Sequence, residues 1–424
     1  MDWFIENVIF SSKDLLRGRK RVKILFICMN PLAFNSSGTM RNIGFIKGTL
    51  ELGHIVDTIT LEADDNSIHF DDSSQIKLNI ANQYIIKQNY IYRKFRSKKK
   101  KEDSQITGRK ESLKKNSLRE TINKLLKEIF LFDLQIINIK NVKLIRKYDL
   151  VVSSSDPKSS HILAEHIIKK NHLKCPWYQY WGDPMQADIT NTGNSQLKMY
   201  RQKRAEARIL KKAARVIYTS PLTLQQQKEL YPDSADKMIY VTQACVKQEQ
   251  KSVFTHNRHT TIGYFGDYLK QTRDITALIS SIDMFESLQL IIAGVGDVHS
   301  DNPNITFYPR LSYEKLDRLE QNVDILVGIC NKRGGQIPAK FYYMAGTQKP
   351  IILIVDGEHT EYLESYFNRY NRYIVCRNTP KQISDAIQVA IKQIQEETKY
   401  CLPKEFLPVY VAKKILSKEG TNNG

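Results

Sequence analysis

Residues 22–62 read VKILFICMNPLAFNSSGTMRNIGFIKGTLELGHIVDTITLE, and this stretch decides the fold class. It begins with a nearly unbroken apolar run, which is typical of a strand that a parallel sheet buries on both faces. A turn-rich loop, a helical pattern ending at Gly53 and a second apolar run follow in that order. Strand, glycine-containing loop, helix and strand make a βαβ unit, so the stretch predicts a Rossmann-like α/β domain.

The rest of the chain repeats this alternation and divides into two such domains. A chain of 424 residues with 41% hydrophobic residues exceeds what one core usually organises. We predict a first doubly wound domain over residues 22–246, with an insertion at about 85–130. A polar linker at 247–260 precedes a second doubly wound domain over residues 260–395. The tail 396–424 fits either its own domain or a return to the first one.

Positive charge is concentrated in the first half of the chain. The formal net charge is +19, and residues 1–256 carry 44 basic against 26 acidic side chains. Residues 93–120 alone carry 12 basic and 4 acidic side chains. Such a run is typical of a solvated loop, of a segment docked on anionic lipid, or of a nucleic-acid-binding segment. Because residues 1–21 resemble a basic amphipathic anchor, we favour an anionic membrane surface over nucleic acid.

Cysteine usage and hydropathy indicate the cytoplasm. Six cysteines occur singly, without metal-ligand spacing, and are expected to be free thiols: Cys28, Cys175, Cys245, Cys330, Cys376 and Cys401. Acidic residues at the start of the chain disfavour a signal peptide, and no stretch approaches the length of a transmembrane helix. We therefore expect a cytoplasmic protein that is peripheral on the inner face of the plasma membrane.

Two loops of the second domain follow apolar strands and contain glycine. Gly266 precedes Lys270 and Arg273, whose charges could neutralise a diphosphate. Gly294 and Gly296 follow the next buried run, where a backbone can approach a ligand closely. Tight βα turns explain these glycines equally well.

A longer segment of the second domain is more specific. Residues 328–355 read GICNKRGGQIPAKFYYMAGTQKPIILIV. Gly334 and Gly335 precede the amide of Gln336, and Lys340 stands at the start of a predicted helix. Paired glycines followed by a lysine at a helix start are suited to the charged part of a nucleotide sugar.

Taken together, residues 22–390 resemble the glycogen-synthase-like group of retaining GT-B glycosyltransferases, particularly bacterial enzymes of surface polysaccharide synthesis. The motifs that carry the resemblance are VKILFICMNPLAFNSSGTMRN, YDLVVSSSDPKSSHILAEHI, PWYQYWGDP, TIGYFGDYLKQTRD, LIIAGVGD and GGQIPAKFYYMAGTQKPI. The resemblance implies two Rossmann-like domains facing a cleft, with the acceptor on the first domain and the nucleotide-sugar donor on the second.

The resemblance also implies roles for individual residues. Two first-domain residues, His161 and Asp183, are candidate catalytic residues, although a lone histidine at a helix start is more often structural and Asp183 suits an N-cap or turn equally well. The donor-binding positions implied by matching motifs, together with the glycine loops above, are Gly38, Gly266, Lys270, Arg273, Gly294, Gly296, Gln336, Ile337, Pro338, Lys340 and Tyr343.

One departure from the family pattern concerns two acidic positions. The group's pair of glutamates, eight positions apart, would fall at Gly335 and Tyr343. The second glutamate normally contacts the donor ribose. The mechanism that the resemblance implies retains the anomeric configuration and uses no metal or other cofactor, because Arg273 and Lys340 would stabilise the leaving diphosphate.

These observations leave several functions open. The leading hypothesis is a glycosyltransferase that acts on a lipid-linked or polysaccharide acceptor. The missing glutamates favour a catalytically silent GT-B subunit that binds or positions a partner. A nucleotide-sugar epimerase is disfavoured because no paired carboxylates suit proton abstraction. A nucleic-acid-binding protein is disfavoured because no recognised module accompanies the charge.

Overall fold

The computed structural model describes residues 21–65, 67, 70–71, 77–87, 131, 142–189, 191, 194–249 and 259–417. The predicted N-terminal segment 1–21, apart from its last residue, lies outside this part of the chain. So does most of the predicted insertion 85–130. The described residues form two parallel sheets with helices packed on both faces of each.

The first sheet has the strand order β3-β2-β1-β4-β5-β6-β7. Its strands are β1 (Lys23–Ile27), β2 (Ile55–Leu61), β3 (Asn82–Ile86), β4 (Leu150–Ser154), β5 (Trp177–Trp181), β6 (Arg215–Tyr218) and β7 (Met238–Tyr240). The order reverses between β1 and β4, which is the arrangement of a doubly wound Rossmann-like sheet. Ligands in such sheets bind outside the carboxyl ends of the strands at this reversal.

Among the described residues of the first domain, four helices connect these strands: α1 (Ser37–Glu51), α2 (Ser159–Lys170), α3 (Gln196–Lys212) and α4 (Pro221–Leu230). A short 3₁₀ helix (Pro232–Lys237) precedes β7. Ser36 caps α1 by accepting a hydrogen bond from the Thr39 amide at 3.2 Å. Gly53 follows α1 with a φ of +78°, so the predicted glycine stop is confirmed.

The second sheet repeats the same topology in the order β10-β9-β8-β11-β12-β13. Its strands are β8 (Thr260–Phe265), β9 (Leu288–Ala293), β10 (Ile305–Tyr308), β11 (Ile325–Ile329), β12 (Ile351–Val355) and β13 (Ile374–Arg377). The helices are α5 (Thr276–Ile282), α6 (Tyr313–Asn322), α7 (Lys340–Met344), α8 (Thr360–Asn368) and α9 (Pro380–Gln395). The predicted α/β class with two doubly wound units is confirmed.

The end of the described chain returns to the first domain. After a 3₁₀ turn (Lys404–Phe406), α10 (Pro408–Leu416) packs against α1. Val411, Ala412 and Ile415 are fully buried in the same apolar cluster as β1 and α1. Full burial of a valine or isoleucine side chain contributes about 1.5–3 kcal/mol, so α10 adds substantially to this core.

Candidate functional site

A cleft of about 1180 Å³ lies between the carboxyl ends of the two sheets. Both domains line it at the reversals of their strand order. The lining residues of the first domain include Ser36, Arg41, Gly182, Asp183, Asp188, Ile189, Thr219 and Gln243. Those of the second domain include Gly266, Asp267, Arg273, Gly294, Arg310, Asn331, Gln336, Ile337, Pro338 and Lys340.

Two cations stand close together on the second-domain side. Lys340 Nζ donates to the Phe265 carbonyl at 2.7 Å and lies 4.5 Å from the centre of the Tyr264 ring. Burial and the neighbouring charge of Arg273 lower the pKa of Lys340 to about 7. Neither Arg273 nor Lys340 forms an ion pair with any described carboxylate. No described carboxylate therefore lies within ion-pair distance of either side chain.

Glycine at position 266 makes room for this pair. A Cβ atom at Gly266 would lie 2.2 Å from Lys340 Nζ. A Cβ atom at Gly294 would lie 2.2 Å from the Gly266 carbonyl oxygen. Neither Gly266 nor Gly294 has space for a side chain. The Lys340 ammonium group therefore reaches the cleft over the backbone of Gly266.

The amide loop after β11 is fixed by the same group of residues. Asn331 accepts a hydrogen bond from Arg273 Nε at 2.8 Å and donates from Nδ2 to the Gln336 carbonyl at 3.0 Å. Asn331 thus orients the guanidinium and holds the loop. Gln336 Oε1 is buried without a hydrogen-bond partner among the described residues. A buried acceptor of this kind is costly unless a ligand or water reaches it.

On the first-domain side, Arg41 lines the cleft although the sequence analysis did not single it out. Its side chain is only 4% exposed and lies 5.3 Å from the centre of the Tyr180 ring, and its Nε has no hydrogen-bond partner in the part of the chain that the structure describes. Its Nη2 donates a long hydrogen bond of 3.5 Å to Ser154 Oγ. Gly182 leaves space for it, since a Cβ there would lie 1.9 Å from Nη1. A buried cation without a carboxylate favours an anion in the cleft.

Asp183 belongs to a charged cluster at the first-domain edge of the cleft. Lys158 Nζ lies 2.9 Å from Asp156 and 2.8 Å from Asp188. Burial and the nearby Asp156 charge raise the pKa of Asp183 to about 7, against the opposing effect of Lys158. A carboxyl group with such a pKa can take up a proton near neutral pH.

His161 is not among the residues that line the cleft. It is fully buried, stacks on Trp181 with ring centres 4.2 Å apart, and lies 2.7 Å from Ser153 through Nδ1. Burial, with the charges of Arg41 and Lys158, lowers its pKa to about 3, so the ring is neutral at pH 7. Its Nε2 has no hydrogen-bond partner among the described residues.

Solved structures with the same two-domain architecture cover nearly the whole chain. Sucrose-phosphate synthase from Thermosynechococcus elongatus is 12% identical over 93% of this chain and 94% of its own, with a TM-score of 0.52. A TarM variant from S. aureus, in complex with fondaparinux, α-GlcNAc-glycerol and UDP, is 9% identical over 93% and 95%, with a TM-score of 0.50. The chain has the GT-B fold. No protein-family model matches it, and no curated protein matches it in sequence.

Gly335, the position of the first missing glutamate, is a contact between the two GT-B domains. Its carbonyl accepts a hydrogen bond from Ser220 Oγ. A Cβ there would lie 2.7 Å from the Thr223 amide nitrogen, in the first turn of α4. A glutamate side chain does not fit at this position in the observed arrangement of the domains.

Tyr343, the position of the second missing glutamate, also joins the domains. Its hydroxyl donates to the Ser37 carbonyl at 3.0 Å and lies 3.3 Å from Gln243 Oε1. Its hydroxyl is therefore engaged by the first domain, and the residue is not among those that line the cleft. A tyrosine in place of a carboxylate exchanges a charged group for an interdomain hydrogen bond.

The cleft lining contains seven of the eleven donor-binding residues predicted from the sequence, and it omits Gly38, Lys270, Gly296 and Tyr343. The Lys270 side chain is exposed outside the lining residues. Gly296 packs against the ring of Tyr268, and a Cβ atom at Gly296 would lie 2.0 Å from that ring. Gly38 lies in the first turn of α1, where a Cβ would be 3.9 Å from Arg41 Nη2. Gly38 therefore borders the cleft next to this guanidinium.

Two further observations apply to the described residues. They contain no group of three or more His, Cys, Asp or Glu side chains arranged to hold a metal ion. None of their helices is both long and apolar enough to cross a bilayer.

Proposed function

We propose that this protein is a glycosyltransferase that moves a sugar from a nucleotide-sugar donor to an acceptor across the GT-B cleft. The observation that carries the proposal is the pair Arg273 and Lys340, two neighbouring basic side chains that line the cleft and form no ion pair with a described carboxylate. A diphosphate fits this pair because it supplies two adjacent negative charges. The UDP bound in the TarM complex is a ligand of this chemical class.

Arg273 and Lys340 would bind the donor diphosphate and stabilise the charge that develops on it. As the bond from the anomeric carbon to the phosphate oxygen breaks, that oxygen becomes more negative. Fixed cations in a partly enclosed cleft stabilise the developing charge without reorganising at the moment of reaction. In this scheme the protein's own side chains provide the charge complementarity, and no metal ion is invoked.

Asp183 is our candidate for the residue that handles the acceptor proton. When the acceptor oxygen bonds to the anomeric carbon, its proton must leave. A carboxyl group with a pKa near 7 at the edge of the cleft can receive that proton at neutral pH. We assign His161 a positioning role, because it stacks on Trp181 directly before the loop that carries Asp183.

For the finer description we propose retention of anomeric configuration and a membrane-held acceptor, as a lipid-linked oligosaccharide of surface polysaccharide synthesis would be. Retention follows from the family resemblance, and proton NMR of the product's anomeric configuration tests it. The membrane-held acceptor follows from the excess of basic residues in the first half of the chain, which contains the acceptor domain. The inner face of the plasma membrane is the corresponding location.

A specific observation supports a second candidate, a catalytically silent GT-B subunit. Gly335 and Tyr343 are used for contacts between the domains, and the two carboxylates of the family pattern are lost. A silent subunit would keep the fold and lose donor affinity. Donor binding therefore separates the two candidates.

The test is thermal stabilisation and donor hydrolysis with a panel of UDP-, GDP-, ADP- and CMP-sugars. We expect one nucleotide to stabilise the protein, and we expect Arg273→Ala and Lys340→Ala to abolish that stabilisation. Lys270→Ala is the matched control, since it removes a nearby exposed charge outside the cleft lining. No response to any donor would contradict the proposal and favour the silent subunit.

A further inference from the structure

The exposed face of α3 is basic along its length and apolar at its start. Lys198, Gln202, Glu206, Ile209 and Leu210 are the buried residues of this helix. The opposite stripe, spaced three to four residues apart, faces solvent: Leu197, Tyr200, Arg201, Arg204, Arg208 and Lys211. An exposed helix face this rich in cations, with apolar residues at one end, is typical of an interfacial surface.

Helix α2 extends this basic surface. Glu165 on α2 forms ion pairs with Lys169 at 2.7 Å, Arg208 at 3.2 Å and Lys212. Glu165 and Glu206 are the acidic residues of the two helices, and both are buried. The exposed faces of α2 and α3 therefore carry cations without an exposed acidic side chain, which suits an extended anionic surface.

Two exposed apolar side chains distinguish one end of this surface. Leu197 is 68% exposed and Tyr200 is 58% exposed, both in the first turns of α3. The Arg204 guanidinium lies 5.7 Å from the centre of the Tyr200 ring. Tyrosine beside arginine is an arrangement suited to a membrane interface, where the ring enters the headgroup layer and the cation stays in water.

The apolar end of α3 is also the end nearest the cleft. Asp188 and Ile189, which line the cleft, precede α3 by a few residues. The loop that carries them is anchored to α3, because Glu206 accepts hydrogen bonds from the Met185 amide at 2.8 Å and the Gln186 amide at 2.9 Å. A membrane beneath the start of α3 would thus lie beside the first-domain edge of the cleft.

We propose that the exposed face of α2 and α3 docks on an anionic lipid bilayer. Leu197 and Tyr200 enter the headgroup region, while Arg204 and Lys211 contact anionic headgroups. Nucleic acid fits this surface less well, because a convex helix face offers no groove for a strand and an exposed leucine neither stacks on a base nor forms a hydrogen bond with one. The proposal deepens the proposed function by naming the surface that presents a membrane-held acceptor, and it rests on that function only for the acceptor.

The test is co-sedimentation of the full chain with vesicles of phosphatidylcholine alone and of phosphatidylcholine mixed with phosphatidylglycerol. Each basic residue near an anionic surface is worth about fivefold in the partition coefficient. We therefore expect Arg204→Gln with Lys211→Gln to lower partitioning onto the anionic vesicles by about 30-fold. The matched control is Lys381→Gln with Lys399→Gln, two exposed lysines on α9 and in the segment that follows it, which should change nothing.

A second double variant tests the apolar end. Leu197→Ser with Tyr200→Ser should weaken partitioning by about tenfold, because their apolar surface no longer leaves water. Donor-induced thermal stabilisation of every variant reports whether the cleft is intact, so a failed donor proposal and a failed docking proposal are distinguishable.

Two outcomes overturn the docking proposal. Unchanged vesicle binding in both double variants would assign the membrane contact to the other basic segments, residues 1–21 and 93–120. Binding of a single-stranded RNA oligonucleotide that depends on Arg204 and Lys211, without binding to anionic vesicles, would identify the surface as a nucleic-acid site.

Discussion

The affinity for the nucleotide-sugar donor should fall as pH rises, because Lys340 must be protonated to pair with a diphosphate. Burial and Arg273 lower the pKa of Lys340 to about 7 in the free protein. A bound diphosphate would raise that pKa toward the ordinary range of lysine, so donor binding takes up a proton above neutral pH. The diphosphate diester of the donor keeps its own charge over this range.

The magnitude follows from the fraction of charged lysine. With a pKa of about 7, Lys340 is almost fully protonated at about pH 6 and only about 3% protonated at about pH 8.5. The dissociation constant should therefore rise by about 30-fold between these two values. The sign is fixed, since deprotonation removes an attractive charge and can only weaken binding.

Isothermal titration calorimetry with the stabilising donor, across pH and in buffers of different ionisation enthalpy, measures both the slope and the proton uptake. Lys340→Met should bind weakly with little dependence on pH. Arg273→Ala is the matched comparison: the dependence of binding on pH should persist but shift to higher pH, because the loss of Arg273 removes one of the causes that lower the pKa of Lys340. The reasoning would be refuted if the donor dissociation constant of the parent protein did not change with pH, or if that of Lys340→Met changed with pH as much as the parent's.

Four further predictions follow from single contacts. Gly335→Ala should lower the free energy of unfolding in urea by about 1–3 kcal/mol, because its Cβ would overlap the first turn of α4. Between about pH 7.5 and pH 5 the His161 imidazole should cost the parent about 2 kcal/mol of its free energy of unfolding, because the imidazole binds a proton in the unfolded chain and, with a pKa of about 3, does not bind one in the native protein. His161→Gln should lack this loss. Gly48→Ala should displace α10, since its Cβ would lie 1.9 Å from the Pro408 carbonyl oxygen, and should speed proteolysis near the chain end. Arg41→Gln should lower the rate of donor hydrolysis by about a hundredfold, as removal of one fixed donor to developing charge does elsewhere.

Controls separate these effects from general damage. Gly38→Ala should leave stability unchanged, because its Cβ would stand at an ordinary 3.7 Å from the Asp156 backbone. Equal stability of Gly335→Ala and Gly38→Ala would contradict the proposed crowding at the domain contact. If the free energy of unfolding falls equally with decreasing pH in the parent and in His161→Gln, other groups govern that pH dependence. Full hydrolysis activity in Arg41→Gln would remove that residue from the site.

Most of the fold could be predicted from the sequence because its strands are buried on both faces. Strands such as β11 and β12 are fully buried and read as continuous aliphatic runs. The strand β3 was not predicted, because it pairs on one side only and its first four residues alternate between partly buried and exposed. Its Ile85 is 61% exposed, so the five-residue stretch resembles the start of the basic loop.

Some residues of the candidate site could likewise be predicted from the sequence, and others could not. Lys340 and Gln336 could be found because glycines and a helix start mark their loop within a few residues. Arg41 could not, because an arginine inside an amphipathic helix looks like a solvated surface residue. Its burial depends on Tyr180 and Gly182, which are more than a hundred residues away in the chain. The ion pair of Lys158 with Asp188, thirty residues away, likewise depends on tertiary packing.

The packing of α10 on α1 affects the order in which the protein can be completed during synthesis. Ile415 and its neighbours fill a face of the first sheet, although the ribosome makes them after the whole second sheet. Until they emerge, α1 presents an uncovered apolar surface, and nascent chains with such surfaces are prone to aggregate. The second domain can finish its own sheet in that interval. The domain that is synthesised first is therefore the last to close its core.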